Sequence, residues 1–397
     1  MSSLQLSRSS CRTAAFTRTG KTRSAIVPAA VAALLFCNTV AAHHGFGLFD
    51  MNHEAKLEGT LTGFDFVNPH SYIYFDSTGT DGKARNMRCE MRAATVLRRS
   101  GWSPDMFIIG AHVLITGHLH RTDASSCYVE TLAIGDAPTL RRYEQLEKNK
   151  PASRPDRPSR LADGHPNLSG EWAQEQYLLA HPPGGGLGKL VPKSLVTAVE
   201  SGKLAAADAP DPGWFPRPVT LTAAGNEASK ALHDLPPDQN PRLSCKITSI
   251  LFDWVFDGPI NRITQGADKI TIEYGRGLTR TVFMNMDRHP RDIKPSRAGH
   301  SIGRWEGDTL VVDTIGFKPG IIAGNVPNSA GLHVVERFTL DPGKMAIKRE
   351  YIAEDAQYFA TQYAGADTVL PADAPFKVDR CKELAHEYIT PDKGRNP

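Results

Sequence analysis

The strongest constraint on the fold is a series of short alternating segments separated by tight turns, starting near Ile247. Ile260–Thr264 and Lys269–Tyr274 flank Gln265-Gly266-Ala267-Asp268. Gly303–Trp305 and Thr309–Asp313 flank Glu306-Gly307-Asp308, and His333–Leu340 and Met345–Ile352 flank Asp341-Pro342-Gly343-Lys344. Ile270 with Ile272, and Leu310 with Val312, keep a period of two, the signature of a strand with one buried face. Consecutive hairpins make an antiparallel meander. Such a meander protects its edges by closing into a lipocalin-like barrel or by folding over as a sandwich. Upstream, Leu168–Trp172 offers a first strand, His181–Gly188 a Gly/Pro loop, and Leu221–Leu232 a helix with Thr222 as its N-cap.

The 397 residues suffice for two domains, and 28 Pro and 34 Gly favour short strands and loops over long helices. In the first half, strands are expected at Lys56–Val67, Ser71–Asp76, Arg85–Met91, His112–His118 and Cys127–Ile134. A short helix, Ala93–Ser100, falls between the third and fourth, with Val96 and Leu97 apolar and Arg98 and Arg99 on its solvated side. Three strands, a helix and two strands is the order of a small OB-like barrel. Residues 148–166 are Pro-rich and charged, the composition of a linker. The chain therefore reads as mainly β: a leader over 1–42, an OB-like domain over 43–142, a linker over 143–166, and a barrel or sandwich over 167–390.

Residues 1–42 carry Arg8, Arg12, Arg18, Lys21 and Arg23 but no acid. The apolar run Ala25–Cys37 then leads to Val40-Ala41-Ala42. This is the layout of a signal peptide cleaved after Ala42, and the apolar run is too short to span a bilayer. Removing those five from the 46 basic residues leaves 41 against 43 acidic, a net −2. Such a balance argues against nucleic acid as a partner, and Tyr72, Tyr74 and Phe75 read as core and sheet surface rather than as base-stacking rings. Four cysteines remain, an even number that in an exported chain favours disulfides. Of three possible pairings, Cys89–Cys127 would lie within the first domain and Cys245–Cys381 would tie the ends of the second. No C-x-x-C spacing suggests a redox motif or structural zinc.

His43-His44-Gly45-Phe46, Leu57-Glu58-Gly59-Thr60, Asn68-Pro69-His70 and Arg98-Arg99-Ser100-Gly101-Trp102-Ser103 together resemble an uncharacterised family of small exported bacterial proteins, over residues 43–136. The second half is similar to another uncharacterised exported bacterial family across most of 167–390. That likeness rests on Asn167-Leu168-Ser169-Gly170, Leu221–Gly225, the run GHSIGRWEGDTL from Gly299 to Leu310, and Leu332–Phe338. These resemblances imply a bacterial, exported protein in two parts. They imply no reaction.

Candidate chemistry concentrates in the second half. The loop Met286–Ser301 carries Arg288, His289, Arg291, Lys294, Arg297 and His300 against only Asp287 and Asp292. Placed over a barrel opening, this excess of positive charge would attract a small anionic or carbonyl-bearing ligand. Arg280, Arg288, Arg291, Trp305, His333 and Arg337 are the expected ligand contacts. Binding of such a molecule in the C-terminal β domain is the expected function. The enzymatic alternative is an isomerase, hydratase or lyase in which His289 and His300 work with Asp308 or Asp313. His333 and Glu336, three apart on a strand, are expected to face opposite ways. Gly299-His300-Ser301-Ile302-Gly303 matches a nucleophile elbow in form, but a strand rather than a helix follows it. A second alternative is copper: cleavage would give His43 a free α-amino group, and amine plus imidazole is a copper chelate that His44, His53, His70, His118 or His120 could complete. No other cofactor is expected.

Overall fold

In a computed structural model, the residues described are 48–78, 82–146, 157–184, 188–211, 217–235, 245–378 and 380–382. The leader and the copper candidates His43 and His44 lie outside them. No helix among the described residues is long and apolar enough to cross a membrane.

Period-two burial builds two closed barrels. The first is made of β1 (Ala55–Asp65), β2 (Tyr72–Thr78), β3 (Ala84–Glu90), β4 (His112–Leu119) and β5 (Ser126–Ile134). Helix α1 (Ala94–Arg99) lies between β3 and β4, and a short β6 (Leu140–Arg141) lies beside β5. The sheet order is β3-β2-β1-β4-β5-β6, and a parallel pairing of β3 with β5 closes the ring, giving the expected OB-like arrangement. Leu61, Ile73, Phe75, Val113, Ile115 and Val129 fill it and are fully buried. Cys89 and Cys127 are register partners across the closing seam and form a disulfide there.

The second half contributes β7 (Gly170–Gln174), the hairpin β8 (Tyr177–Ala180) and β9 (Lys189–Pro192), and helices α2 (Val196–Glu200) and α3 (Ala223–His233). The remaining strands are β10 (Ile260–Gln265), β11 (Lys269–Glu273), β12 (Thr279–Phe283), β13 (His300–Glu306), β14 (Thr309–Ile315), the small hairpin β15 (Gly320–Ala323) and β16 (Val326–Asn328), β17 (His333–Asp341), β18 (Ala346–Glu354) and β19 (Tyr363–Pro371). Nine of these close in the order β10-β11-β12-β13-β14-β17-β18-β19-β7. The three hairpins read from turn chemistry are all present, and the Thr222 hydroxyl caps α3 by accepting from the Gly225 amide at 3.0 Å.

The meander is broken at one place. β12 and β13 pair in parallel, and a tight turn cannot join parallel neighbours. Residues 284–299 therefore cross back along the barrel, where Ser296 bridges to Phe317 and the Arg297 guanidinium donates to the Pro319 carbonyl.

Side chains occupy the barrel interior. Ile250, Leu251, Phe252, Trp254 and Val255, from one looping segment, join Ile272, Val282, Val312, Val334 and Phe338 in a single core. Within it Arg280 pairs with Glu336 at 2.6 Å and Arg349 pairs with Glu336 at 3.3 Å and with Asp367. The Arg280 guanidinium also donates to the Ser301 and Thr314 hydroxyls, each at 2.9 Å. Ile250 and Leu251 carbonyls accept from Arg349. Buried charge is tolerated only with this degree of pairing.

The expectation that Arg99 faces solvent is overturned. It is only 5% exposed, because that side of α1 meets the second barrel. Its guanidinium pairs with Asp373 at 2.6 Å and donates to the Gly258 and Gln174 carbonyls, both at 2.8 Å. Cys245 and Cys381 form the second disulfide. The backbone around Cys381 is laced to Asn68 of the first barrel by Asn68 N–H to the Arg380 carbonyl and Lys382 N–H to the Asn68 carbonyl.

Candidate functional site

Strand parity separates two polar sets on one stretch of barrel wall. Ser301 on β13, Thr314 on β14 and Glu336 on β17 are buried, whereas His300, Asp313 and His333 on the same strands are partly exposed. Side chains alternate across a strand, so the first three face the packed interior with Arg280 and the second three stand on the outer face. His333 and Glu336 do face opposite ways. Ser301, inward and bonded to Arg280 and Thr314, is no exposed nucleophile.

The crossover carries His289 onto that outer face. His289 Nε2 lies 3.0 Å from Asp313 Oδ1, His333 Nε2 lies 3.1 Å from Asp313 Oδ2, and His289 Nδ1 lies 2.9 Å from His300 Nδ1. Hydrogen-bond logic fixes the protons for neutral rings. An ionised Asp313 only accepts, so His289 and His333 each donate through Nε2–H. His289 Nδ1 must then accept, and His300 donates to it through Nδ1–H. That leaves a lone pair on His300 Nε2 at the end of the relay. Burial works against the charge on Asp313, but hydrogen bonds from His289 and His333 outweigh it and hold the carboxyl below its usual value. Burial and the neighbouring His289 lower the pKa of His300, so it stays a neutral base to more acid pH than a free imidazole.

The other sequence candidates are elsewhere. Asp308 sits in an exposed ion pair with Arg160 at 2.5 Å, and Arg337 pairs with Glu306 at 2.9 Å on the surface. Arg280 is engaged inside the barrel, and Arg288 and Arg291 on the crossover are exposed. Trp305 is half-buried with His165 stacked on it at 4.7 Å.

Two features of the site had no signal in the sequence. Phe283, at the end of β12, stacks on the His300 ring at 5.1 Å between centroids, a contact set by strand order alone. A cleft of about 470 Å³ is lined by residues that neighbour the relay along the chain, though by none of the four relay side chains themselves. Ile302, two residues along β13 from His300 on the same face, forms one wall, and Met286 and Asp287, just before His289, form another. Trp305, His165, Asp163 and Arg304 also line it. The four relay side chains are strung in a line rather than converging, and among the described residues no group of three His, Cys, Asp or Glu is placed to hold a metal ion.

Asp313 and Asp308 make a clean contrast. Asp313→Asn should remove the acceptor that orients His289 and His333, so the imidazole NMR resonances of both should move. Asp308→Asn should leave those resonances and the unfolding midpoint unmoved, as expected for an exposed pair. Shifted imidazole resonances in the Asp308 variant would break the assignment of the relay to Asp313.

Residues 31–127 match a family model described as a family of unknown function (DUF6152). The match covers about a quarter of the chain and fits the resemblance to an uncharacterised family read from its motifs. No curated protein matches the chain. The two disulfides fit an oxidising compartment outside the cytoplasm.

Proposed function

We propose that this is an exported, periplasmic protein that uses the His300–His289–Asp313 relay for acid–base chemistry on a small anionic or carbonyl-bearing molecule bound at the outer face of the second barrel. The observation that carries this reading is the relay itself, a carboxylate fixing one imidazole that in turn orients a second. The reaction class is proton abstraction beside a carbonyl, as in an isomerase, hydratase or lyase. A proton leaving substrate carbon would bond to His300 Nε2. His300 would pass its Nδ1 proton to His289, so the positive charge comes to rest against the Asp313 carboxylate. The exposed guanidinium groups of Arg288 and Arg291 supply the positive field that draws in an anion.

Exchange of α-hydrogens for deuterium in D2O tests this, with pyruvate and other short 2-oxo acids as probes and NMR as readout. The expected result is exchange accelerated by the protein and reduced about 10²- to 10⁴-fold in His300→Ala, the range usual for one general base. Because the His300 pKa is depressed, the rate should fall only on the acid side of the usual imidazole value of 6.5 and stay flat above it. Exchange that is absent, or unaltered in His300→Ala, overturns the catalytic reading. Saturable binding of the same acids without exchange, lost in His300→Ala, would instead identify a carrier, which the exposed setting of the relay also allows.

A further inference from the structure

A second site lies where α1 and its flanks meet the second barrel, far along the chain from the relay. It is a small cavity of about 160 Å³, lined among others by His70, Arg92, Arg142, Tyr143 and Asp257. Its polar groups are buried but incompletely used. Arg92 is 8% exposed and Arg142 4%. Arg92 gives one nitrogen to the Tyr177 carbonyl at 3.0 Å, and Arg142 gives one to the Met91 carbonyl at 2.9 Å. Arg92 Nη1, Arg142 Nε and Nη1, and Asp257 Oδ2 are buried and find no hydrogen-bond partner among the described residues. Native proteins rarely leave such groups unsatisfied, so several in one cavity call for a missing partner.

The unpaired guanidinium N–H groups of Arg92 and Arg142 define that partner as an acceptor, and an oxyanion is the acceptor such groups bind best. His70 faces Glu90 at 3.2 Å. Burial opposes charge on His70, but Glu90 outweighs it and raises the imidazole pKa. Arg99, on the same wall, is neutralised by Asp373. Beside it stand Arg92, Arg142 and His70, with Glu90, Asp257 and Glu175 as the acids; Glu90 is taken by His70, and Glu175 accepts from the Ser194 amide at 2.6 Å. The Arg92 guanidinium lies 4.6 Å from the Tyr143 ring and that of Arg142 3.6 Å from the Tyr128 ring, while one nitrogen of Arg142 is 3.7 Å from Glu90. Val96 and Leu190 supply apolar lining, beside the polar Glu175 and Gln176. The volume equals about five waters at roughly 30 Å³ each, room for an oxyanion with a short hydrocarbon tail.

We propose that this inter-barrel cavity binds a small aliphatic carboxylate, its two oxygens on the unpaired donors of Arg92 and Arg142 and its tail against Val96 and Leu190. Guanidinium forks match carboxylate geometry in a way a lysine ammonium does not. The site is independent of the relay on the outer wall.

Calorimetric titration of the intact protein with propionate tests it, with chloride at equal ionic strength as the blank and inorganic phosphate as a second arm. Saturable propionate binding is expected. Arg92→Lys should weaken it about tenfold, since the charge stays but the fork is lost, and His300→Ala should leave it unchanged. Because a buried arginine variant can fail to fold, nuclear Overhauser contacts from the propionate methyl to Leu190 in the unmutated protein provide a second reading. Contacts at Leu190 support the site. No saturable effect beyond chloride, binding equal in Arg92→Lys, loss in His300→Ala, or phosphate in preference to propionate each overturns it.

Discussion

Glu336→Ala should lower the stability of the protein by about 3–5 kcal/mol, the range found when one partner of a buried ion pair is removed. The Glu336 side chain has no solvent exposure and meets two arginines, Arg280 and Arg349, each 1% exposed. Without it Arg349 keeps Asp367, but Arg280 retains only hydroxyl partners, chiefly Ser301 and Thr314, and its charge is stranded in the core. Urea unfolding followed by tryptophan fluorescence measures the change as a fall in midpoint. The Arg280→Met, Glu336→Leu double variant should recover much of the loss, because replacing both members of a buried pair by apolar groups removes the stranded charge. A loss in Glu336→Ala below about 1 kcal/mol would mean that water reaches the interior and screens the charges.

Cys381→Ser should cost about 2–5 kcal/mol. The Cys245–Cys381 bridge closes 136 residues of sequence separation, so its loss frees a large unfolded loop. The damage should also be local. The segment holding Cys381 is hydrogen-bonded on both sides of that residue to Asn68 of the first barrel, and Lys382 reaches Asp65 at 2.7 Å. Hydrogen exchange in the variant should therefore rise first around Asn68 and residues 380–382, while the Cys89–Cys127 barrel keeps its protection. Uniform loss of protection in both barrels would show that the bridge stabilises only through the unfolded chain.

Local rules accounted for a good part of this molecule. Period-two runs at Ile270 and Ile272 or Leu310 and Val312, bounded by Gly/Asp/Pro turns, gave the three hairpins, because turn chemistry and side-chain alternation act over a few residues. The same holds for the Thr222 cap. Strand parity told that His333 and Glu336 diverge. What it could not tell was which of them faces inward, nor that the inward face is a packed, ion-paired core.

Partner choice was decided by tertiary structure. Asp308 and Asp313 are five residues apart, one in a turn and the other along the strand that follows, and both read as candidate carboxylates. Only the parallel β12–β13 pairing, with the crossover it forces, brings His289 to Asp313 and leaves Asp308 to Arg160. Arg99 reads as a solvated helix residue until a second barrel covers it. The unpaired donors of Arg92 and Arg142 belong to the first half of the chain, while Tyr177 and Leu190, which share their cavity, belong to the second. A strand or a turn is fixed by interactions within its own few residues. The partner of a charged side chain is fixed by strand order, register and the packing of one barrel on another, contacts between residues separated by up to hundreds of positions.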